Sequence, residues 1–196
     1  MLNITLFQLL NIQLNLGHFK GKWIKFFDTY IYGIRNNMII FNLDFSLINL
    51  YKFINYLIFI TFFKNKLFFI SSFLSSTNIG LGQFILKNNK LAGYYDGVFI
   101  GGLVSNLRTF FFMKKLYKKK NVFNFKRLEF LYPSCVLIND TNRFFLTIKE
   151  SFFFGIPSIS IIDSDLDFNF NFYTLFGNND SKLVSFFFFI FVIWLR

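Results

Sequence analysis

Hydrophobic positions along this chain fall into short blocks separated by longer mixed stretches. Largely apolar runs occur at residues 67–70, 98–100, 135–138 and 159–162. A run of this length without strict alternation is the signature of a strand buried on both faces, which favours a parallel sheet covered by helices. The connections between the runs are long enough for crossover helices. The clearest spans 142–154: Asp140 and Thr141 stand where an N-cap is needed, Phe145, Ile148 and Phe152 share a face, Gly155 can stop the helix, and Pro157 follows. The strand after it is expected to end at Asp163.

Upstream, 46–62 places Leu47, Leu50, Tyr51, Ile54 and Ile58 on one helical stripe, with Asp44 or Ser46 as the expected cap. Residues 30–43 are rich in β formers around a polar break at Arg35-Asn36-Asn37, which predicts a hairpin. At the other end, Gly177-Asn178-Asn179-Asp180-Ser181 reads as a turn and cap leading into an apolar helix over 182–195. The predicted fold class is α/β, a three-layer domain with a mainly parallel sheet, an N-terminal hairpin and a helix. We read 1–196 as a single domain, with an N-terminal extension and helix over 1–65 and a β/α core over 66–196. A short basic insertion is expected in the core near 108–132.

Charge changes the picture. The chain has 196 residues, with 21 Lys and Arg against 10 acids, a formal net charge of +11 and a pI near 9.8. Phosphate backbone or anionic lipid is the usual neutralising partner of such an excess. The cations cluster. Lys20, Lys22 and Lys25 flank Trp23, and Arg35 sits at the hairpin tip. Arg108, Lys114, Lys115, Lys118, Lys119, Lys120, Lys126 and Arg127 occupy a stretch interleaved with Phe and Tyr and free of acids before Glu129. Lysines in such clusters displace counterions from phosphates, and neighbouring aromatics can stack on unpaired bases. These thirteen residues are the candidate RNA contacts.

Hydrophobic content of 54% and a mean hydropathy of +0.47 raise a membrane protein as the rival. A spanning helix needs about 20 apolar residues. The run at 186–195 is shorter, and 53–74 is interrupted by Asn55, Lys64, Asn65 and Lys66. The chain is therefore expected not to span a membrane. Residues 1–10 lack the basic residues of a secretory signal and the Arg and Ser richness of a transit peptide. The 35 phenylalanines, with heavy Ile, Asn and Lys usage, fit a gene drifting in an AT-rich organelle genome.

Chemistry-bearing residues are few. One cysteine, Cys135, and one histidine, His18, exclude an internal disulfide framework and the usual Cys/His zinc sites. No metal or cofactor is expected. Cys135 reads as a small core residue. His18 has no carboxylate or cysteine near it in sequence and is assigned a structural hydrogen bond or a phosphate contact. Glu150, beside Lys149, reads as solvated or packing. Asp163, Asp165 and Asp167 alternate as in a calcium loop, but Phe168 and Thr174 stand where its glycine and closing glutamate belong. Solvated strand-end acids are the expectation there. Gly80-Leu81-Gly82 lacks the third glycine of a dinucleotide fingerprint, Ile85 taking its place. A nucleotide-binding enzyme is thus the weakest reading, and no catalytic residue is assigned.

Several motifs, in order, resemble one family, the small-subunit ribosomal protein two in its bacterial and organellar form. Near the N-terminus they are Leu16-Gly17-His18-Phe19, Lys22-Trp23, Tyr30-Ile31-Tyr32-Gly33-Ile34-Arg35-Asn36 and Ile39-Ile40-Phe41-Asn42-Leu43. Gly101-Gly102-Leu103-Val104-Ser105-Asn106 with Thr109 follows. Pro133, Ile148-Lys149-Glu150, Gly155-Ile156-Pro157, Ile162-Asp163 and the 177–181 turn complete the series. Gly17, His18, Gly101, Gly102, Asn106, Gly155, Pro157, Gly177, Asn178 and Asp180 are its structural-motif positions. The resemblance implies a Rossmann-like domain in a mitochondrial small ribosomal subunit, bound to small-subunit ribosomal RNA near the head–body junction. Neighbouring small-subunit proteins are its other implied partners, with no small-molecule substrate. The family's long helical hairpin is expected to be shortened or absent, because only about 110–132 is available for it. Phe176 stands where the family has proline, and Leu16 where an aromatic or histidine motif begins.

Overall fold

A computed structural model describes residues 4–71, 92–97, 99–110, 125–126, 132–167 and 169–194. The chain opens with a short helix, α1 (Leu6–Asn11), closed by a capping box between Thr5 and Gln8. A small antiparallel sheet follows, built from β1 (Leu16–Phe19), β2 (Ile31–Arg35) and β3 (Met38–Phe41) in the order β1-β3-β2. The predicted hairpin is β2–β3. Its two-residue turn, Asn36-Asn37, has φ of 50° and 60°, the left-handed pair that matches strand twist and that Asn tolerates. The first strand, β1, pairs on the other side of β3.

The long helix α2 (Leu43–Phe62) is capped by Asn42, whose side chain accepts from the Asp44 amide at 3.0 Å. Neither expected residue caps it. Ser46 is buried instead and donates its hydroxyl to the Phe176 carbonyl at 2.7 Å. The buried face is also rotated from the predicted stripe: Leu50 and Ile54 are on it with Phe53, Leu57 and Ile60, while Tyr51 and Ile58 are exposed.

The main sheet holds β4 (Leu67–Ser71), β5 (Ala92–Asp96), β6 (Phe125–Lys126), β7 (Cys135–Ile138), β8 (Ser158–Ile162) and β9 (Tyr173–Phe176). Their order is β6-β5-β4-β7-β8-β9, with every pairing parallel except β5 with β6. Numbered along the chain, the five parallel strands run 2-1-3-4-5, a doubly wound Rossmann-like order. One expected strand is displaced. The chain pairs through 92–96, where Tyr94 and Tyr95 are fully buried, and Phe99 and Ile100 lie in irregular, half-buried chain.

Side chains alternate between two covered faces. Leu67, Phe69, Tyr94, Cys135, Leu137, Ile159 and Ile161 meet α2 and the final helix α4 (Lys182–Trp194) through Leu50, Leu57, Val184 and Phe188. Phe68, Ile70, Tyr95, Val136 and Ile138 meet the opposite layer, formed by Leu103, Val104, Leu107 and the helix α3 (Thr141–Phe153). Burial pushes the Cys135 thiol far above its ordinary range, as expected of an inert core residue. Asp140 caps α3 and Gly155 ends it at φ +67°. Its buried face carries Thr141, Phe144, Thr147, Ile148 and Ser151, and Phe152 points outward.

By length and composition α2 is apolar enough to cross a membrane. Its bonds to the sheet, including Asn49 Nδ2 to the Thr174 carbonyl at 3.0 Å, make it a covering layer of the core. The glycine pair at 80–82 and most of the expected basic insertion lie outside the described residues.

Candidate nucleic-acid interface

Lys20, Lys22 and Lys25 lie on two 3-10 turns, Lys20–Lys22 and Lys25–Tyr30, that connect β1 to β2. All three are exposed, as is Arg35 at the end of β2. The Lys20 amide donates to the Asn37 carbonyl at 2.9 Å, so the first turn is fastened to the hairpin tip and its cations share one end of the small sheet with Arg35. Among the described residues, no carboxylate lies within ion-pair distance of these four cations. Phe19 and Phe26, next to Lys20 and Lys25 in the chain, stand exposed, as does Tyr32 toward the other end of β2. Trp23, in contrast, is half-buried against the cluster of Phe27, Phe41, Ile162 and Phe176, and its indole Nε1 is buried. The exposed rings available to a base are therefore Phe19, Phe26 and Tyr32.

Arg108 belongs to a different part of the molecule, the helical residues 107–110 that follow β5, with its guanidinium 5.9 Å from the Tyr132 ring centre. The small sheet is attached at the β8–β9 edge, so the structure does not bring Arg108 together with the N-terminal lysines. Lys126 lies on β6, and Lys114, Lys115, Lys118, Lys119, Lys120 and Arg127 lie outside the described residues.

The motif positions explain how the basic loop is held. Gly17 is buried so closely that a Cβ would meet the Phe41 ring at 3.0 Å and the Asp163 carboxylate at 3.3 Å. That proximity lets the His18 amide reach Asp163 Oδ1 and Ser164 Oγ, each at 3.2 Å. The Ile24 amide donates to the Ser164 carbonyl at 3.1 Å. Gly177 meets Leu14 so closely that a Cβ would sit 2.6 Å from the Leu14 carbonyl oxygen, and the Asn178 amide donates to that same oxygen at 3.1 Å. The Asn178 side chain then accepts from the amides of Asp180 and Ser181 and caps the turn before α4. At the opposite end of β8, the Pro157 carbonyl receives the Val136 amide at 2.9 Å.

His18 is not isolated, as its sequence neighbours suggested. Its Nδ1 lies 3.0 Å from Asp163 Oδ2, and its Nε2 lies 3.7 Å from Asp165 Oδ2 and 3.5 Å from Asp180 Oδ2. Burial alone would lower its pKa, but attraction and hydrogen bonding to Asp163, then attraction to Asp165 and Asp180, hold it above the ordinary value of 6.5. Burial raises Asp163 in turn, against the stabilising Ser164 amide and His18. Asp163 is 1% exposed, which overturns its expected role as a solvated strand-end acid. Asp167 binds its own loop, accepting from the Asn169 amide.

Of the two roles expected for Glu150, solvated or packing, the structure shows the second. Its two oxygens accept from the amides of Gly102, at 2.7 Å, and Val104, at 3.1 Å, and so hold the Gly101–Asn106 turn against α3. Gly102 has φ +85°, the left-handed conformation that only glycine adopts freely, and Asn106 closes the turn onto its carbonyl at 2.8 Å. No spacing rule reveals contacts such as Glu150 to Gly102 or His18 to Asp163, because their partners are brought near only by the sheet order.

No family model matches the chain. Curated proteins do. The small ribosomal subunit protein uS2m of Acanthamoeba castellanii is 26% identical over 196 residues, an alignment covering 98% of this chain and 57% of that protein. The chain therefore spans little more than half the length of this relative. The small ribosomal subunit protein uS2 of Acinetobacter baylyi is 24% identical over 209 residues, covering 91% of this chain and 82% of that protein. That of Ehrlichia chaffeensis is 25% identical over 217 residues, covering 93% and 72%. With the ordered motifs lying where they build this fold, the chain is a homologue, along nearly its whole length, of proteins named small ribosomal subunit protein uS2, a mitochondrial uS2m among them.

Proposed function

We propose that this protein is a structural, non-enzymatic constituent of a mitochondrial small ribosomal subunit, where its basic loops grip small-subunit ribosomal RNA near the head–body junction. The observation that carries the reading is the uS2-type similarity running through 98% of the chain, to a mitochondrial relative. The geometry supports it. Lys20, Lys22, Lys25 and Arg35 form an exposed set with no carboxylate at ion-pair distance among the described residues, on a sheet locked to the core, with exposed Phe19 and Phe26 that can stack on bases. In this reading the protein is a scaffold: backbone phosphates position it, and the core keeps its cations in register.

Its other partners are neighbouring small-subunit proteins. Phe45, Ile48, Phe59, Phe62 and Phe63 form a large exposed apolar face on and just after α2, and Phe152, Phe153 and Phe154 form another at the end of α3. Faces of this kind are covered in assembled proteins. The free chain is therefore expected to aggregate at low salt. Its location follows from the same reading: the mitochondrial matrix, as an organelle-encoded protein.

Sedimentation of native mitochondrial lysate tests the proposal, paired with carbonate washing of the membranes. The protein should travel with the small subunit and leave the membrane pellet. Retention in the washed pellet with no ribosomal particle attached would identify a membrane-embedded subunit and overturn the reading.

A further inference from the structure

His18, on β1, meets Asp163 and Asp165 from the loop after β8 and Asp180 from the turn after β9. Three carboxylates around one imidazole concentrate negative charge in a chain whose formal charge is +11. One donor atom from each of His18, Asp163 and Asp165 lies within 4.8 Å of the others.

The hydrogen bonding divides these acids into two kinds. Asp163 Oδ1 is fully engaged, accepting from the His18 amide, the Ser164 amide and the Ser164 hydroxyl. Its Oδ2 faces His18 Nδ1 at 3.0 Å. Asp163 thus stands where a carboxylate orients a metal-binding imidazole from behind. Asp165 and Asp180 stand on the other side of the ring, at Nε2. Asp165 Oδ1 is buried with no hydrogen-bond partner among the described residues. A buried carboxylate oxygen left without a donor, on the Nε2 side of the ring, is an atom free to take a ligand.

The two separations from the imidazole fit a small ion. Ligands bound at about 2.1 Å with tetrahedral angles lie about 3.4 Å apart. The distances from Nε2 to Asp165 and Asp180 are 3.7 and 3.5 Å. We propose that His18 Nε2, Asp165 and Asp180 bind one divalent transition-metal ion of the zinc type, with Asp163 orienting the imidazole and water completing the shell. One nitrogen and two carboxylates suit zinc better than calcium, which takes six to eight oxygens. The ion would join three separate pieces of chain. Because Lys20 and Lys22 lie two and four residues after His18, it would fasten the basic loop to the sheet edge. The proposal stands on this geometry alone and is independent of the RNA-binding reading.

Zinc titration of the purified full chain, held in high salt after chelator treatment and removal, tests it by competition with a chromophoric chelator. Thermal unfolding is followed in parallel. One zinc ion should bind per chain and raise Tm. Asp180→Asn, on an exposed turn, and Asp165→Asn should each weaken binding more than tenfold while leaving the metal-free circular dichroism unchanged. Asp163→Asn should weaken it about 10- to 100-fold, and Cys135→Ser should change nothing. Absence of saturable binding, affinity unchanged in both Asp165→Asn and Asp180→Asn, or loss of binding in Cys135→Ser would overturn the proposal. Stabilisation by calcium or magnesium but not zinc would overturn it too.

Discussion

Replacing Glu150 isolates one of the few interactions that hold the two covering segments of the sheet's second face together. Its carboxylate receives the Gly102 and Val104 amides at 2.7 and 3.1 Å, one on each oxygen. A hydrogen bond to a charged group contributes about 1.5–3 kcal/mol, and the half-exposed position of Glu150 sets each of these at the low end. Glu150→Ala should therefore destabilise the fold by about 3 kcal/mol. Glu150→Gln keeps one acceptor and turns its amide N–H toward the other backbone N–H, so about half that loss is expected. For a chain of this length, the changes correspond to Tm decreases of about 6–12 °C and about 3–6 °C. Urea unfolding in high salt, with hydrogen exchange at Gly102 and Val104, reads both the global and the local effect. Lys149→Ala, which removes only contacts to the Phe145 and Phe170 rings, is the control and should cost about 1 kcal/mol or less. If both Glu150 variants unfold within about 0.5 kcal/mol of the parent and the two amides keep their protection, the carboxylate does not hold this turn.

Gly177→Ala would force a Cβ to 2.6 Å from the Leu14 carbonyl, a backbone atom that cannot step aside, and should cost about 2–3 kcal/mol. Gly33→Ala, which meets open space, should be much milder by the same thermal measurement. Asn37→Val places a β-branched residue at φ 60° and should cost about 1–2 kcal/mol, whereas Asn37→Gly should be near neutral; equilibrium unfolding separates the two. Replacing Lys20, Lys22 and Lys25 together by Gln should leave Tm unchanged but weaken ribosomal RNA binding. It should flatten the dependence of log affinity on log salt by about 2–3, in filter binding across a salt series.

The strands at β4, β7 and β8 and the last two helices were legible because their apolar runs and caps are local signals. Strand β5 was not, since Ala-Gly-Tyr-Tyr-Asp carries two hydroxyls and an acid and looks less like an inner strand than the apolar run beside it. The buried face of α2 was misplaced for a related reason. Phe45, Ile48, Phe59 and Phe62 make its outward side as apolar as its inward side, so periodicity alone cannot select a face. The basic loop around Trp23 was visible as a charge cluster, but the burial of Trp23 itself depends on Phe27 and Phe176, which local reading does not bring together. Two of the acids were misread. Asp163 and Asp165 look like solvated strand-end residues in sequence, while Glu150 takes the packing role that was one of its two readings, and the partners of all three include residues far away in sequence.

The same acids bear on why Lys20, Lys22, Lys25 and Arg35 keep their charge available to a partner. In most basic proteins a lysine's nearest counterion is a carboxylate of its own surface, which lowers the field available to a partner. Here five of the ten acids are engaged elsewhere. Asp163, Asp165 and Asp180 surround His18, Glu150 binds two backbone amides, and Asp140 caps α3 and pairs with Arg143 one turn on. Each holds the fold together, and none lies within ion-pair distance of Lys20, Lys22, Lys25 or Arg35. The N-terminal sheet is fixed to the β8–β9 edge by the Asp163 and Ser164 contacts to β1 and by the Gly177–Leu14 approach. A loop anchored through the buried Asp163 and bearing exposed cations with no carboxylate at ion-pair distance among the described residues has two properties a phosphate-binding scaffold requires, a fixed geometry and charge left for a counterion.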